Sequence, residues 1–299
     1  MTLWRNGSIQ LPQCLDYASL RRRAYRLTVR SPSVFYILTM VRSLRALTLF
    51  ARLFRKSGSL SRLPPQAPAG LRIYAIGDIH GRADLLDTIA DWIARDNREW
   101  SGECLTIFLG DFIDRGADSA GVLERLSTNT FPTPIKALRG NHEEMLLKFL
   151  GDASALDSWR RYGGLETLHS YGIHVADVMR GRNYEEARVS LLQKMPARHI
   201  AFLRETSASI AAQDYFFCHA GVRPGVPLDQ QDPQDLLWIR EEFLNYSGDF
   251  GKRIVHGHTP VEQPSVHENR INIDTGAYTT GILTCLVLEG ETVRFFSTK

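Results

Sequence analysis

The sequence predicts an α/β protein, and three observations carry that reading. Short apolar runs recur, each bounded by glycine, as buried strands are. Amphipathic patterns at helical spacing lie between them. Each apolar run then ends on a residue able to bind a metal or a phosphate, and polar residues that follow strands are where sites form in such sheets.

Taken in order, Leu71–Ile76 leads into Gly77-Asp78-Ile79-His80-Gly81, and Leu105–Leu109 leads into Gly110-Asp111-Phe112-Ile113-Asp114-Arg115-Gly116. Ile135–Leu138 precedes Arg139-Gly140-Asn141-His142-Glu143. Tyr215–Cys218 precedes His219-Ala220-Gly221, and Ile254-Val255 precedes His256-Gly257-His258-Thr259. Glycine at these ends lets the backbone turn sharply and approach a ligand. Helical patterns fall at Ala83–Ala94, Ser119–Leu126, His142–Leu150 and Leu165–His169.

The first seventy residues are different. Eleven Arg and one Lys stand there against one acidic residue, Asp16, while the rest of the chain carries more acidic than basic residues. A nucleic-acid surface on the body is therefore disfavoured. Residues 1–63 read as a basic, amphipathic, helical extension. Arg42, Arg45, Arg52, Arg55 and Lys56 share one side of a helix, and Leu44, Leu47, Phe50, Ala51 and Phe54 largely the other. Such a helix suits peripheral contact with an anionic membrane through residues 21–56. The arginines interrupt any apolar run of spanning length. An organelle leader, or an extension without function, fits the same pattern. Pro64-Pro65-Gln66-Ala67-Pro68-Ala69-Gly70 reads as a linker, so the expected folded domain is 71–299. Four scattered cysteines without a C-x-x-C point to a reducing, cytoplasmic compartment, at the membrane surface if the extension docks there.

Taken singly, a Gly-Asp is an ordinary turn and an Asn-His an ordinary helix start. Five such strand ends in one domain are not explained by turn chemistry. Two carboxylates, three imidazoles and an amide oxygen, with no thiolate, suit manganese, iron or zinc better than calcium or a structural zinc.

These motifs, in this order, resemble the phosphoprotein phosphatase family of calcineurin-like metallophosphoesterases. Trp238-Ile239-Arg240-Glu241, Gly257-His258-Thr259-Pro260 and Ile273-Asp274-Thr275-Gly276-Ala277 resemble its bacterial, lambda-phage-type branch of serine/threonine protein phosphatases. The resemblance runs from Leu71 to the C-terminus and implies a β-sandwich flanked by helices. It implies two divalent metal ions, manganese preferred. Asp78, His80 and Asp111 would hold one; Asp111, Asn141, His219 and His258 would hold the other. It also implies direct attack on phosphorus by a metal-bridging hydroxide, with His142 as general acid oriented by Asp114. Arg115, Arg139 and Arg240 would form a phosphate clamp.

Competing readings are a structural Asp114–Arg115 ion pair and an Arg240 that merely ends a helix. His256 reads as strand packing, Cys218 as a small buried hydrophobe and Asp274 as support for the last strands. His169, His174, His199 and His267 read as bystanders. Trp159–Gly164 and Glu166–Gly172 look like a cap segment. Pro260 departs from the second histidine of nuclease and cyclic-nucleotide relatives. Ala220 replaces a glycine of the eukaryotic enzymes, whose inhibitor-contacting aromatic loop is not evident near Tyr278. The expected substrate is a phosphoprotein or a phosphorylated small molecule. The rival functions are a symmetrical dinucleoside polyphosphate hydrolase and an inactive metal-bound module docked to a membrane or polyanion.

Overall fold

The computed structural model describes residues 63–298 apart from Asn129. The extension expected over 1–63 lies outside the described residues except for Leu63, and the membrane contact expected of 21–56 lies wholly outside them. Among the described residues, no helix is long and apolar enough to cross a membrane.

Two five-stranded sheets form the frame. One has the order β10-β9-β1-β2-β3, with β1 at Leu71–Ile76, β2 at Glu103–Phe108, β3 at Ile135–Ala137, β9 at Thr284–Glu289 and β10 at Thr292–Ser297. The other has the order β4-β5-β6-β8-β7, built from Ser209–Ala212, Tyr215–Cys218, Arg253–His256, Arg270–Asn272 and Ser265–Val266 respectively. β1, β2 and β3 run parallel, as do β5, β6 and β8, and antiparallel strands complete both sheets.

Period-two alternation decides what each strand packs against. Ile73 and Ala75 of β1, Ile107 of β2 and Leu286 and Leu288 of β9 meet Tyr215, Phe217, Val255 and Ile271 of the second sheet in one buried cluster. The alternate residues Tyr74, Ile76, Phe108, Cys285 and Val287 point the other way, onto helices. Those include Ala83–Asp96, whose Leu85, Leu86, Ile89 and Ile93 make one buried face. On the opposite side Phe216, Cys218 and Ile254 pack on Leu236, Ile239 and Phe243. The result is a two-sheet sandwich between helical layers.

The helices Ser119–Ser127, Asn141–Gly151, Gly164–Ser170, Tyr184–Lys194 and Ala197–Glu205 lie over the first sheet's outer side, with shorter helical turns between the second and third. The stretch expected as a linker lies against the sandwich. Ala67 is buried and its N–H donates to Gly290 O at 2.8 Å, while the Gln66 N–H donates to Asp214 Oδ2 at 3.0 Å.

Candidate active site

Each parallel strand delivers its motif to the same end of the sandwich. Asp78 and His80 follow β1, Asp111, Asp114 and Arg115 follow β2, and Asn141 opens the helix after β3. His219 follows β5 and His258 follows β6. Backbone bonds tie these loops together. The N–H groups of Ile79 and His80 both donate to Asp111 O, at 3.0 and 2.9 Å, and Gly257 N–H donates to His219 O at 2.8 Å.

The backbone here is strained. Seven described residues other than glycine have positive φ, and five are His80, Asp111, Asp114, Arg115 and His258. That conformation costs roughly 1–2 kcal/mol per residue, and its concentration at one place is typical of a site that aims side chains. Gly140 and Gly257 remove another obstacle: a Cβ would run into Asp111 Oδ1 at the first and Asp78 Oδ1 at the second.

Asp111 is the hub. Its Oδ2 lies 3.5 Å from His80 Nε2 and 3.8 Å from His142 Nε2, and its Oδ1 lies 3.4 Å from His219 Nε2. Two triads, His80–Asp111–His142 and Asp111–His219–His258, bring their ligand atoms within 4.8 Å of one another. Asn141 joins the second through Oδ1, 3.0 Å from His219 Nε2. The distances put His142 in the first triad, where the family resemblance names Asp78. Asp78 instead accepts the His258 N–H and is buried beside Asp111 and Asp274.

The imidazoles are oriented from behind. His80 Nδ1 donates to Ile113 O at 2.8 Å and His219 Nδ1 to Leu109 O at 3.0 Å. A carbonyl can only accept, so Nδ1 carries the proton and Nε2 keeps its lone pair in the cavity. His219 Nε2, Asn141 Oδ1 and Asp111 Oδ1 are then three acceptors facing each other, and His258 Nδ1 lies 3.1 Å from the same His219 nitrogen. Carboxylate, amide and imidazole acceptors converging in this way are satisfied by cations, so this donor set fits divalent metal ions.

Burial pushes His80 down to about 3 and His258 to about 2, and lowers His219 as well, which keeps all three neutral as metal ligands must be. His142 goes the other way. Burial acts against its charge, but the carboxylates of Asp111 and Asp114 outweigh it and raise its pKa. Burial, then Asp274 and Asp111, raise Asp78 well above the carboxylate range. Acidic groups crowded in this way would be relieved by bound cations.

Arg115 Nη1 lies 3.1 Å from His80 Nε2, and its guanidinium sits 5.0 Å from the centre of the Tyr278 ring. It is not paired with Asp114, whose side chain faces His142, Trp159 and Thr167. Arg240 follows the helix Pro233–Trp238 and donates to Thr259 Oγ1 at 3.0 Å, next to His258. Arg139 does not join them. It holds Thr206 Oγ1, Glu144 and the carbonyls of Leu203 and Arg204, bracing the helix Ala197–Glu205 against the start of Asn141–Gly151. The guanidinium expected to grip phosphate thus meets those partners in this structure rather than the Asp111 cluster.

His256 packs against the Phe243 ring, and burial raises the Cys218 thiol. Asp274 lies in the site's floor; burial pushes it up to about 6, although the Gly276 N–H it accepts acts to lower it. Three groups received no role from the sequence. Glu143 is fully buried and accepts N–H bonds from Asp111, Phe112 and Gly140 at 2.8, 2.8 and 2.9 Å. A glutamate directly after Asn-His at a helix start was the available signal. Trp159 and Thr167 reach Asp114 from the cap segment, and nothing local in the sequence marks that contact.

A family model for calcineurin-like phosphoesterase matches residues 71–282. Serine/threonine-protein phosphatase 1 of Salmonella typhimurium is 31% identical over 220 residues, covering 71% of this chain and 89% of that protein. An asymmetrical bis(5'-nucleosyl)-tetraphosphatase PrpE of Halalkalibacterium halodurans is 24% identical over 231 residues, covering 71% of this chain and 87% of its own. The crystal structure of a protein assigned as a diadenosine tetraphosphatase has the same fold. It superposes with a TM-score of 0.53 at 19% identity, over 80% of this chain and 96% of that one. With that model matched over most of the chain, and with strand ends that bring carboxylate, imidazole and amide side chains to one place, the chain belongs to the calcineurin-like phosphoesterase family.

Proposed function

We propose that this enzyme is a serine/threonine protein phosphatase that transfers the phosphoryl group directly to water, with no phosphoenzyme. The observation that carries this reading is the position of Asp111 between two clusters of imidazoles, with His142 held by a second carboxylate at their edge. Asp78, His80 and Asp111 would hold one divalent ion, and Asp111, Asn141, His219 and His258 the other. Manganese is preferred, with iron or zinc as alternatives, because the donors are carboxylate and imidazole. When bound, such a pair supplies Lewis acidity that offsets phosphoryl charge and lowers the pKa of water.

The chain's own residues do the rest. Arg115, from the loop after β2, and Arg240, from the turn after the helix Pro233–Trp238, lie beside the ligands and suit the non-bridging oxygens of a phosphoryl group. His142 points Nε2 into the cavity and gives its proton to the leaving oxygen. Asp114 holds Nδ1 and stabilises the imidazolium before transfer. Asp111 would offset the repulsion between two bound cations, because its carboxylate lies in both ligand clusters.

The identity to the Salmonella phosphatase supports a protein substrate. The tetraphosphatase relative favours a second reading, hydrolysis of a dinucleoside polyphosphate, and that relative is an asymmetrical enzyme rather than the symmetrical kind named as a rival above. Product analysis separates the two. Free phosphate from a phosphoserine peptide, with the dinucleotide left intact, is expected. Cleavage of the dinucleotide with the peptide untouched overturns the proposal.

Cys104, Cys218 and Cys285 are all free thiols, which supports a reducing, cytoplasmic setting. Peripheral membrane docking through residues 21–56 belongs to the same proposal. Sedimentation with anionic liposomes should weaken when residues 1–62 are removed, and equal binding by both forms rejects it.

A further inference from the structure

Asp114 is completely buried and meets three side chains at once. His142 Nδ1 lies 2.7 Å from Oδ2, Trp159 Nε1 lies 2.7 Å from that same oxygen, and Thr167 Oγ1 lies 2.5 Å from Oδ1. Trp159 and Thr167 are also fully buried. The Asp114 N–H is fixed as well, between Thr167 Oγ1 at 2.9 Å and Ser119 Oγ at 3.0 Å. The carboxylate is therefore clamped by residues 45 and 53 positions later in the chain, and its left-handed backbone by the second of these together with Ser119.

The directions of these bonds matter. An indole N–H can only donate, so Oδ2 must offer it a lone pair. A donor fixed on that oxygen disfavours a proton there and makes His142 Nδ1 the protonated nitrogen. Thr167, by taking Oδ1, settles the plane of the carboxylate. His142 Nε2 is then turned to the cavity, 3.8 Å from Asp111 Oδ2. Among the described residues no other buried carboxylate in the site has two side-chain donors supplied by the cap segment.

We propose that Trp159 and Thr167 are positioning residues for the hydrolysis: through Asp114 they hold His142 in the tautomer and orientation that deliver a proton to the leaving oxygen. This rests on the reading of His142 as the acid. The competing account is packing alone, since Trp159 also lies against the Phe149 ring at 5.2 Å between centroids. Packing alone makes any loss indifferent to the leaving group. Positioning makes it grow as the leaving group becomes a stronger base and needs the proton more.

The test compares full-length Trp159→Phe, Thr167→Val and Thr167→Ser with wild type and His142→Asn. Each is assayed on an aryl phosphate with an acidic leaving group and on a phosphoserine peptide. For Trp159→Phe and Thr167→Val, kcat on the peptide is expected to fall about tenfold or more, and on the aryl ester less than about threefold. Thr167→Ser, which keeps the hydroxyl, should recover most of the loss. In zinc-loaded protein, the downfield Nδ1 proton resonance, assigned by its absence in His142→Asn, should move in both variants. Thr167→Val is nearly isosteric and carries the test if Trp159→Phe does not fold. Equal losses on the two esters with an unmoved Nδ1 resonance overturn the proposal. A loss in His142→Asn that is blind to the leaving group overturns the acid reading instead.

Discussion

The Nδ1 atom of His142 lies 2.7 Å from Oδ2 of Asp114, and both side chains are almost wholly removed from water. Burial opposes charge on that ring, but the carboxylates of Asp111 and Asp114 outweigh it and favour the protonated form. His142→Asn should therefore retain bound metal while kcat on a phosphoserine peptide falls by roughly 10²–10⁴-fold. Metal analysis beside steady-state kinetics checks this. An unchanged rate in the metal-replete variant rejects the acid role.

Arg139 and Arg240 should separate cleanly. Arg240→Ala removes the guanidinium proposed to meet the phosphoryl oxygens and should lower kcat/KM with little change in melting temperature. Arg139→Ala unties Thr206, Glu144 and two carbonyls from the helix Ala197–Glu205, so its first effect should be on stability. A loss of about 1 kcal/mol is expected from these part-buried hydrogen bonds. Chemical denaturation and kinetics on both variants provide the comparison.

Glu143 offers a third test. Its Oε1 accepts from Phe112 N–H and its Oε2 from Asp111 and Gly140 N–H. In Glu143→Gln the amide nitrogen must face one of these sets, so at least one buried donor loses its partner whichever way the side chain turns. Destabilisation of about 1–3 kcal/mol per orphaned donor is expected, with weaker metal affinity because the Asp111 loop is loosened. A melting temperature equal to wild type contradicts this account.

The convergence of the candidate ligands was legible in the sequence because they sit directly after strands with glycine beside them. β1 and β5 fall on the residues expected, and the helices Ala83–Asp96 and Ser119–Ser127 begin where expected and run slightly longer. The rest depends on distance in the chain. β9 pairs with β1 across more than two hundred residues, and no local pattern announces that register. The helix Tyr184–Lys194 buries only Ala187 and Leu191, too thin an apolar face to be read as a stripe. Trp159 and Thr167 looked like parts of a cap, and only folding brings them to Asp114. Arg139 illustrates the converse: its motif is intact, but Thr206 and Glu144 occupy its guanidinium.

The central claim is that Asp111 is one carboxylate shared by two ion sites. Metal stoichiometry of wild type and Asp111→Asn, measured on stripped and reconstituted full-length protein with turnover followed in parallel, tests it most directly. Two divalent ions per chain and full turnover are expected for wild type, with both ion binding and turnover collapsing together in the variant. An Asp111→Asn protein that keeps two tightly bound ions and hydrolyses phosphoserine at the wild-type rate would contradict it.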